Sequence, residues 1–133
     1  MHWIIRGVVA LWAVYFGWTG LTGLSDPTSY HELLGVSGDA VGMNTIRADL
    51  SAFFILSSVT AGWAALRPEL HLLLYIPAAL FGLALAGRAV GVMMGDPFDG
   101  LIRFSMVAEA VSVLLLIGAQ RWLARFSADS PVA

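Results

Sequence analysis

Cysteine is absent from the 133 residues, which excludes disulfides, thiolate metal sites and cysteine nucleophiles together. Lysine is absent too, so all seven basic residues are arginine. Against nine acidic residues they leave a formal charge of −2 with no run of basic residues. That balance argues against nucleic acid as a partner and against a polybasic membrane anchor. Charge of either sign is scarce, at 12% of residues where a soluble domain carries about 25%. Apolar residues take its place: 59% are hydrophobic and the mean hydropathy is +0.81.

Apolar stretches of about twenty residues recur, and a hydrocarbon core of ~30 Å needs about that many at ~1.5 Å each. Four can be marked, over about 3–24, 44–66, 70–94 and 101–124. The sequence therefore predicts an all-α integral membrane four-helix bundle, one domain over 1–126 with a polar tail at 127–133. Arg6 ahead of the first apolar run gives it the look of a secretory signal. The small-x-small cleavage pattern is missing, however, and Trp12, Tyr15, Phe16 and Trp18 are bulky for a signal core, so this run is expected to remain as a span.

Asp26-Pro27 stops the first helix, and Ser29-Tyr30-His31-Glu32 has the form of a capping box opening a short helix that ends before Gly35. Too short to span, it is expected to lie at the interface or close over the bundle mouth, a lid formed by Tyr30, His31 and Glu32. Asn44 or Thr45 can cap the second long helix, which Arg67-Pro68 ends. Pro77 predicts a kink near the start of the third, and Gly95-Asp96-Pro97 terminates it.

Arg6, Arg67, Arg121 and Arg125 fall on the side of the termini, against Arg47 and Arg103 on the other. By the positive-inside rule both termini face the cytoplasm and the Tyr30 loop faces outward, as expected for a bacterial inner-membrane protein. Trp3, Trp63, Tyr75 and Trp122 lie near the inner ends, as an aromatic belt would.

Charges within spans carry the most information, because one at the bilayer centre costs about 3 kcal/mol even on the gentler scales. Arg47, Arg88 and Glu109 fall at a similar depth in the outer third, with Asp49 beside them. Asp49 ranks lower, since residues two apart on a helix point in nearly opposite directions. Ser51 shares the Arg47 face, and Ser105 and Ser112 share the Glu109 face. Arg88 and Glu109 either pair only to fix helix register, or hold a ligand's polar head between donors and a counter-ion.

Gly87, Gly91 and Gly95 form overlapping G-x-x-x-G patterns, suited to close packing within the chain or to self-association. Gly17 and Gly20, with Thr19 and Thr22, thin the first helix in the same way. His31 and His71 lie at opposite ends and cannot share a metal, so no metal site and no cofactor are expected.

Thr45-Ile46-Arg47-Ala48-Asp49, Gly87-Arg88 and Glu109-Ala110 together resemble the bacterial membrane family catalogued as domain of unknown function 4345, akin to the DoxX-like group. The resemblance runs from the first helix through Leu123. It implies four spans and an Arg, Arg, Glu constellation at Arg47, Arg88 and Glu109, with Asp49 beside it. DoxX relatives are associated with quinone-linked electron transfer, though no cofactor ligand set stands out here. Ser51-Ala52 replaces the glycine that many relatives carry after Arg-Ala-Asp.

Three functions are thus expected in order. The first is binding of a membrane lipid or hydrophobic small molecule, lipid-like or quinone-like, in an outer polar pocket. The second is an accessory subunit in a larger membrane complex, or a homo-oligomer, docking through the glycines. The third is a small isomerase or oxidoreductase component using Glu109 for proton transfer.

Overall fold

The computed structural model describes residues 2–128. It comprises α1 (His2–Ser25), α2 (Ser29–Leu34), α3 (Ala40–Leu66), a 3₁₀ segment (Pro68–Leu74), α4 (Tyr75–Met93) and α5 (Gly100–Ala128), with no strand among the described residues. Four stretches are long and apolar enough to cross a membrane: Trp3–Ser25, Ala40–Leu66, Pro68–Met93 and Gly100–Arg125. Their outer faces agree with a lipid environment. Leu11, Val14, Leu83 and Leu114 are each at least 70% exposed, a surface that water would penalise by about 25 cal/mol per Å². The chain is an all-α, multi-pass membrane bundle.

Around the bundle α1 packs most extensively on α3 and α4 on α5, both pairs antiparallel, and thinner contacts between α3 and α4 and between α1 and α5 close the ring. The two halves of the interior differ in side-chain size. Toward the termini the core is built of small residues, Ala13, Ala61, Ala64, Ala65, Ala78 and Ala119, with Leu74, Leu116 and Leu123. Small side chains let helix backbones approach closely. Toward α2 the core is aromatic: Tyr30, Phe54 and Phe81 are buried, with Trp12, Phe16 and Phe53 against them. Rings take the place of the small side chains there.

Helix ends depart from the sequence reading where backbone hydrogen bonds found other partners. Asp39, and not Asn44 or Thr45, caps α3, its carboxylate accepting from the Gly42 N–H at 2.8 Å. Asp99 does the same for α5, accepting from the Ile102 N–H at 2.9 Å. The Ser29 to Glu32 capping box does not form. Ser29 is already the first helical residue and its hydroxyl donates back to the Asp26 carbonyl at 2.8 Å. Asp26 organises the turn instead, its Oδ1 accepting from both the N–H and the hydroxyl of Thr28, at 3.0 and 2.6 Å.

The third span is broken upstream of Pro77. Leu70 has non-helical dihedrals (φ −93°, ψ 24°), and Pro68–Leu74 winds as 3₁₀ before α4 begins. Pro77 lies in the first turn of α4, where its missing N–H costs little, while its ring disfavours α-helical geometry at the preceding turn. Helix α5 runs on to Ala128, past the expected end at 124, and residues 129–133 of the polar tail lie outside the described residues.

One tie between ends was not foreseen. Arg6 on α1 donates through Nε to the Ala65 carbonyl at 2.7 Å and through Nη2 to the Leu66 carbonyl at 3.0 Å. It thereby satisfies two of the orphan carbonyls at the C-terminus of α3, where the helix dipole also favours a cation.

Candidate functional site

On α5, Ser105, Glu109, Ser112, Leu116, Gln120 and Leu123 are all buried, a stripe at three- and four-residue spacing that faces the bundle. The expected sharing of one face by Ser105, Glu109 and Ser112 is what the helix shows. Ser112 accepts from the Trp12 indole N–H of α1 at 3.0 Å. Glu109 meets Arg88 of α4: Nε donates to Oε1 at 2.8 Å. This is the ion pair that two intramembrane charges at equal depth imply, and in low dielectric each partner makes the other affordable.

Only half of the Glu109 carboxylate is used. The residue is 8% exposed, and its Oε2 is buried with no hydrogen-bond partner. A buried acceptor left unpaired costs about 1–3 kcal/mol, more if charged, so its presence calls for a physical reason.

Glu109 lines a cavity of about 420 Å³ in the aromatic half of the bundle, with Oε2 itself shielded from it. Every helix contributes. Phe53 and Phe54 come from α3, Phe81 and Arg88 from α4, Phe104, Ser105 and Glu109 from α5, Tyr15 and Phe16 from α1, and Leu33 and Leu34 of α2 roof it. Apart from Arg88, Ser105 and Glu109 the lining is apolar or aromatic. Tyr15 and Phe104, 56% and 64% exposed, stand on α1 and α5, a thinly packed pair in the ring.

Of the expected lid residues Tyr30 packs inward, while His31 and Glu32 do not. Tyr30 is fully buried, its hydroxyl 3.0 Å from that of Ser51 and its ring stacked on Phe54 at 5.9 Å. The ring occupies the space where a side chain on Gly23 would stand, so that glycine is what lets α2 fold back onto α1. Gly35, in left-handed conformation (φ 70°), closes α2 by donating its N–H to the His31 carbonyl at 2.9 Å. His31 and Glu32 face away from the cavity and are exposed. Burial pushes the Tyr30 phenol above its ordinary pKa, opposed in part by the Ser51 hydroxyl.

Arg47 and Asp49 do not join the pair. Both are exposed and neither lines the cavity. Because Asp39 starts α3 early, the helix has 27 residues, about 40 Å, against a hydrocarbon core of ~30 Å. Both stand in its first three turns, at the end of α3 nearest the turn after α1. There Arg47 acts on Asp26, whose carboxyl is held below its usual range chiefly by the Thr28 hydrogen bonds, with Arg47 adding to them.

Gly87, Gly91 and Gly95 do not serve helix packing within the chain. A methyl group built on Gly87 or Gly95 meets nothing within 4 Å, and one on Gly91 meets only the Asp96 side chain. Gly95 instead supplies a positive φ (102°) where α4 ends. Gly87 and Gly91 line a second, more open depression of about 420 Å³ with Asp96, and Arg88 borders both depressions. The close approach occurs on α1, where a methyl on Gly20 would meet the Ile55 backbone nitrogen of α3 at 3.1 Å.

The terminal half is not purely apolar. Tyr75 donates to Gln120 Oε1 at 2.9 Å, and Gln120 Nε2 lies 3.1 Å from His71 Nδ1. Gln120 sits on the same stripe as Glu109, and extending that stripe by three more turns would have found it. Among the described residues no three His, Asp or Glu side chains come together as metal ligands would.

The fold and site define a class: a multi-pass helical membrane protein with a buried ion pair in the wall of an aromatic cavity. No protein-family model matches the chain, and neither a curated protein nor a solved structure does.

Proposed function

We propose that the protein binds a lipid-like or quinone-like small molecule in the aromatic cavity, its polar head against Arg88, Glu109 and Ser105. The observation that carries this reading is a buried ion pair, Arg88 with Glu109, in the lining of a mostly apolar chamber, with half of the carboxylate left without a partner. A volume of about 420 Å³ lies within the ~300–1,000 Å³ range of small-molecule sites, which are mostly apolar with a few convergent polar groups. Access is from the lipid, between α1 and α5 at Tyr15 and Phe104. The four-span likeness to the DoxX-like group is compatible with such a ligand.

Mass spectrometry of amphiphiles retained through mild extraction tests the proposal. Wild-type protein is expected to carry one, and Ala84→Phe, which fills the cavity while leaving both charges in place, to have lost it. Identical retained species in the two proteins would refute it.

A second reading has one observation behind it: Gly87 presents open backbone on the outside of α4. It fits docking onto a larger membrane assembly. Gly87→Leu would abolish crosslinks to a partner in native membranes if this reading holds, and leave them unchanged if it does not.

A further inference from the structure

We infer that the cavity selects an uncharged head group bearing a hydroxyl, and rejects anionic heads such as carboxylates and phosphates. The inference rests on the proposed cavity reading and specifies what occupies it.

Three features of the wall carry it. First, the Arg88 charge is already matched: its Nε is bonded to Glu109 Oε1 at 2.8 Å, so the pair is neutral and has no net charge to offer an anion. Second, the free atom of that pair is an oxygen. Glu109 lines the cavity, and a carboxylate engaged with a guanidinium is an acceptor only, so it requires a donor from a ligand and repels an anionic oxygen. Third, Arg88 retains donors. Its contact with Glu109 uses Nε, and Nη1 and Nη2 make no hydrogen bond among the described residues.

A group between them must therefore both donate and accept. A hydroxyl does both with one oxygen, giving its hydrogen to the Glu109 carboxylate and accepting from an Arg88 Nη–H. A bare ketone or ether satisfies only the arginine. The body of the ligand follows from the rest of the lining. Phe16, Phe53, Phe54, Phe81 and Phe104 surround a space of about 420 Å³, suited to a ring or a single chain, and small for a two-chain phospholipid.

Three probes that share an octyl chain and one aromatic ring separate the possibilities: 4-octylphenol, its methyl ether, and 4-octylbenzoate. Each is titrated into wild-type protein and Glu109→Gln in micelles, with binding read by native mass spectrometry. The ratio of wild type to variant cancels the probes' unequal partitioning into detergent.

The phenol is expected to bind wild type about tenfold or more tightly than the ether, one charge-assisted hydrogen bond, and to lose that margin in Glu109→Gln. Should Glu109→Gln not fold, the comparison of phenol and ether on wild type, corrected for partitioning into empty micelles, carries the same test. Equal binding of phenol and ether overturns the head-group assignment while leaving the cavity reading in place. Tightest binding of the benzoate overturns it in favour of an anion site on Arg88. If no probe binds, the cavity reading falls together with this one.

Discussion

The hydroxyls of Tyr30 and Ser51 lie 3.0 Å apart, and this contact joins the short helix α2 to the second span over the roof of the cavity. Tyr30→Phe keeps the ring stacked on Phe54 and removes only that bond, a loss of about 1 kcal/mol. Gly23→Ala is expected to cost more, because the added methyl displaces the ring itself. Limited proteolysis between residues 26 and 39 would show it: faster cleavage for Tyr30→Phe than for wild type, and faster still for Gly23→Ala. Equal rates for all three would mean that α2 is not held by Tyr30.

The same lid has a predictable pH response. The Tyr30 phenol is raised when folded, so the neutral form is the one that docks. Its contribution is fully present below the unfolded tyrosine value of about 10 and is lost as pH rises through the folded value. Asp26 works in the opposite direction. Its carboxyl is lowered, so its hold on Thr28 is present above about 3.9 and fades as pH falls through the folded value. The protection of the Thr28 and Gly35 amides in micelles, taken relative to the intrinsic exchange rate at each pH, should stay constant between pH 5 and 9, as a ~4 to ~10 window requires. Protection that already falls at pH 7 would contradict this.

Breaking the ion pair should cost more than deleting it. Arg88→Leu leaves a buried carboxylate uncompensated, a loss of about 3–5 kcal/mol, and Glu109→Leu leaves the arginine in the same position. The double replacement by leucine removes both charges and should recover most of that stability. Thermal unfolding in detergent measures it, and additive single and double effects would mean that the two residues do not interact.

The glycines divide into two groups. Gly20→Ala should destabilise, because a methyl there meets the Ile55 backbone nitrogen at 3.1 Å, which cannot move without separating α1 from α3. Gly87→Ala meets nothing and should be neutral or stabilising by up to about 1 kcal/mol, the helix-propensity difference. The two melting temperatures, shifted in opposite directions, would confirm it.

Hydropathy and charge made the four spans and the Arg88 to Glu109 pair legible in the sequence, because intramembrane charge is rare and must be matched. The three- and four-residue spacing of Ser105, Glu109 and Ser112 gave the buried face of α5 correctly. Facing was the weak step. Placing Arg47 and Asp49 beside the pair rested on depth, while both side chains are exposed and point away from the cavity that Arg88 and Glu109 line. Glycine spacing left its partner open for a related reason: G-x-x-x-G states that a helix can be approached, while whether a helix of the same chain does so depends on where neighbouring helices run. The aromatic chamber was missed because its phenylalanines are spread over four helices. Their common depth, counted from the helix ends, was the available signal.

Arg6 finds its acceptors 59 and 60 positions further along the chain. During synthesis the first span therefore enters the bilayer with an arginine whose partners have not yet been made. Its mate is the second span, across the loop that carries α2, and the fit is sealed only when Ala65 and Leu66 reach the same side. Contacts this distant in sequence form late, since loop closure must come first. Truncation before Ala65 would then leave α1 inserted with its arginine lacking both acceptors.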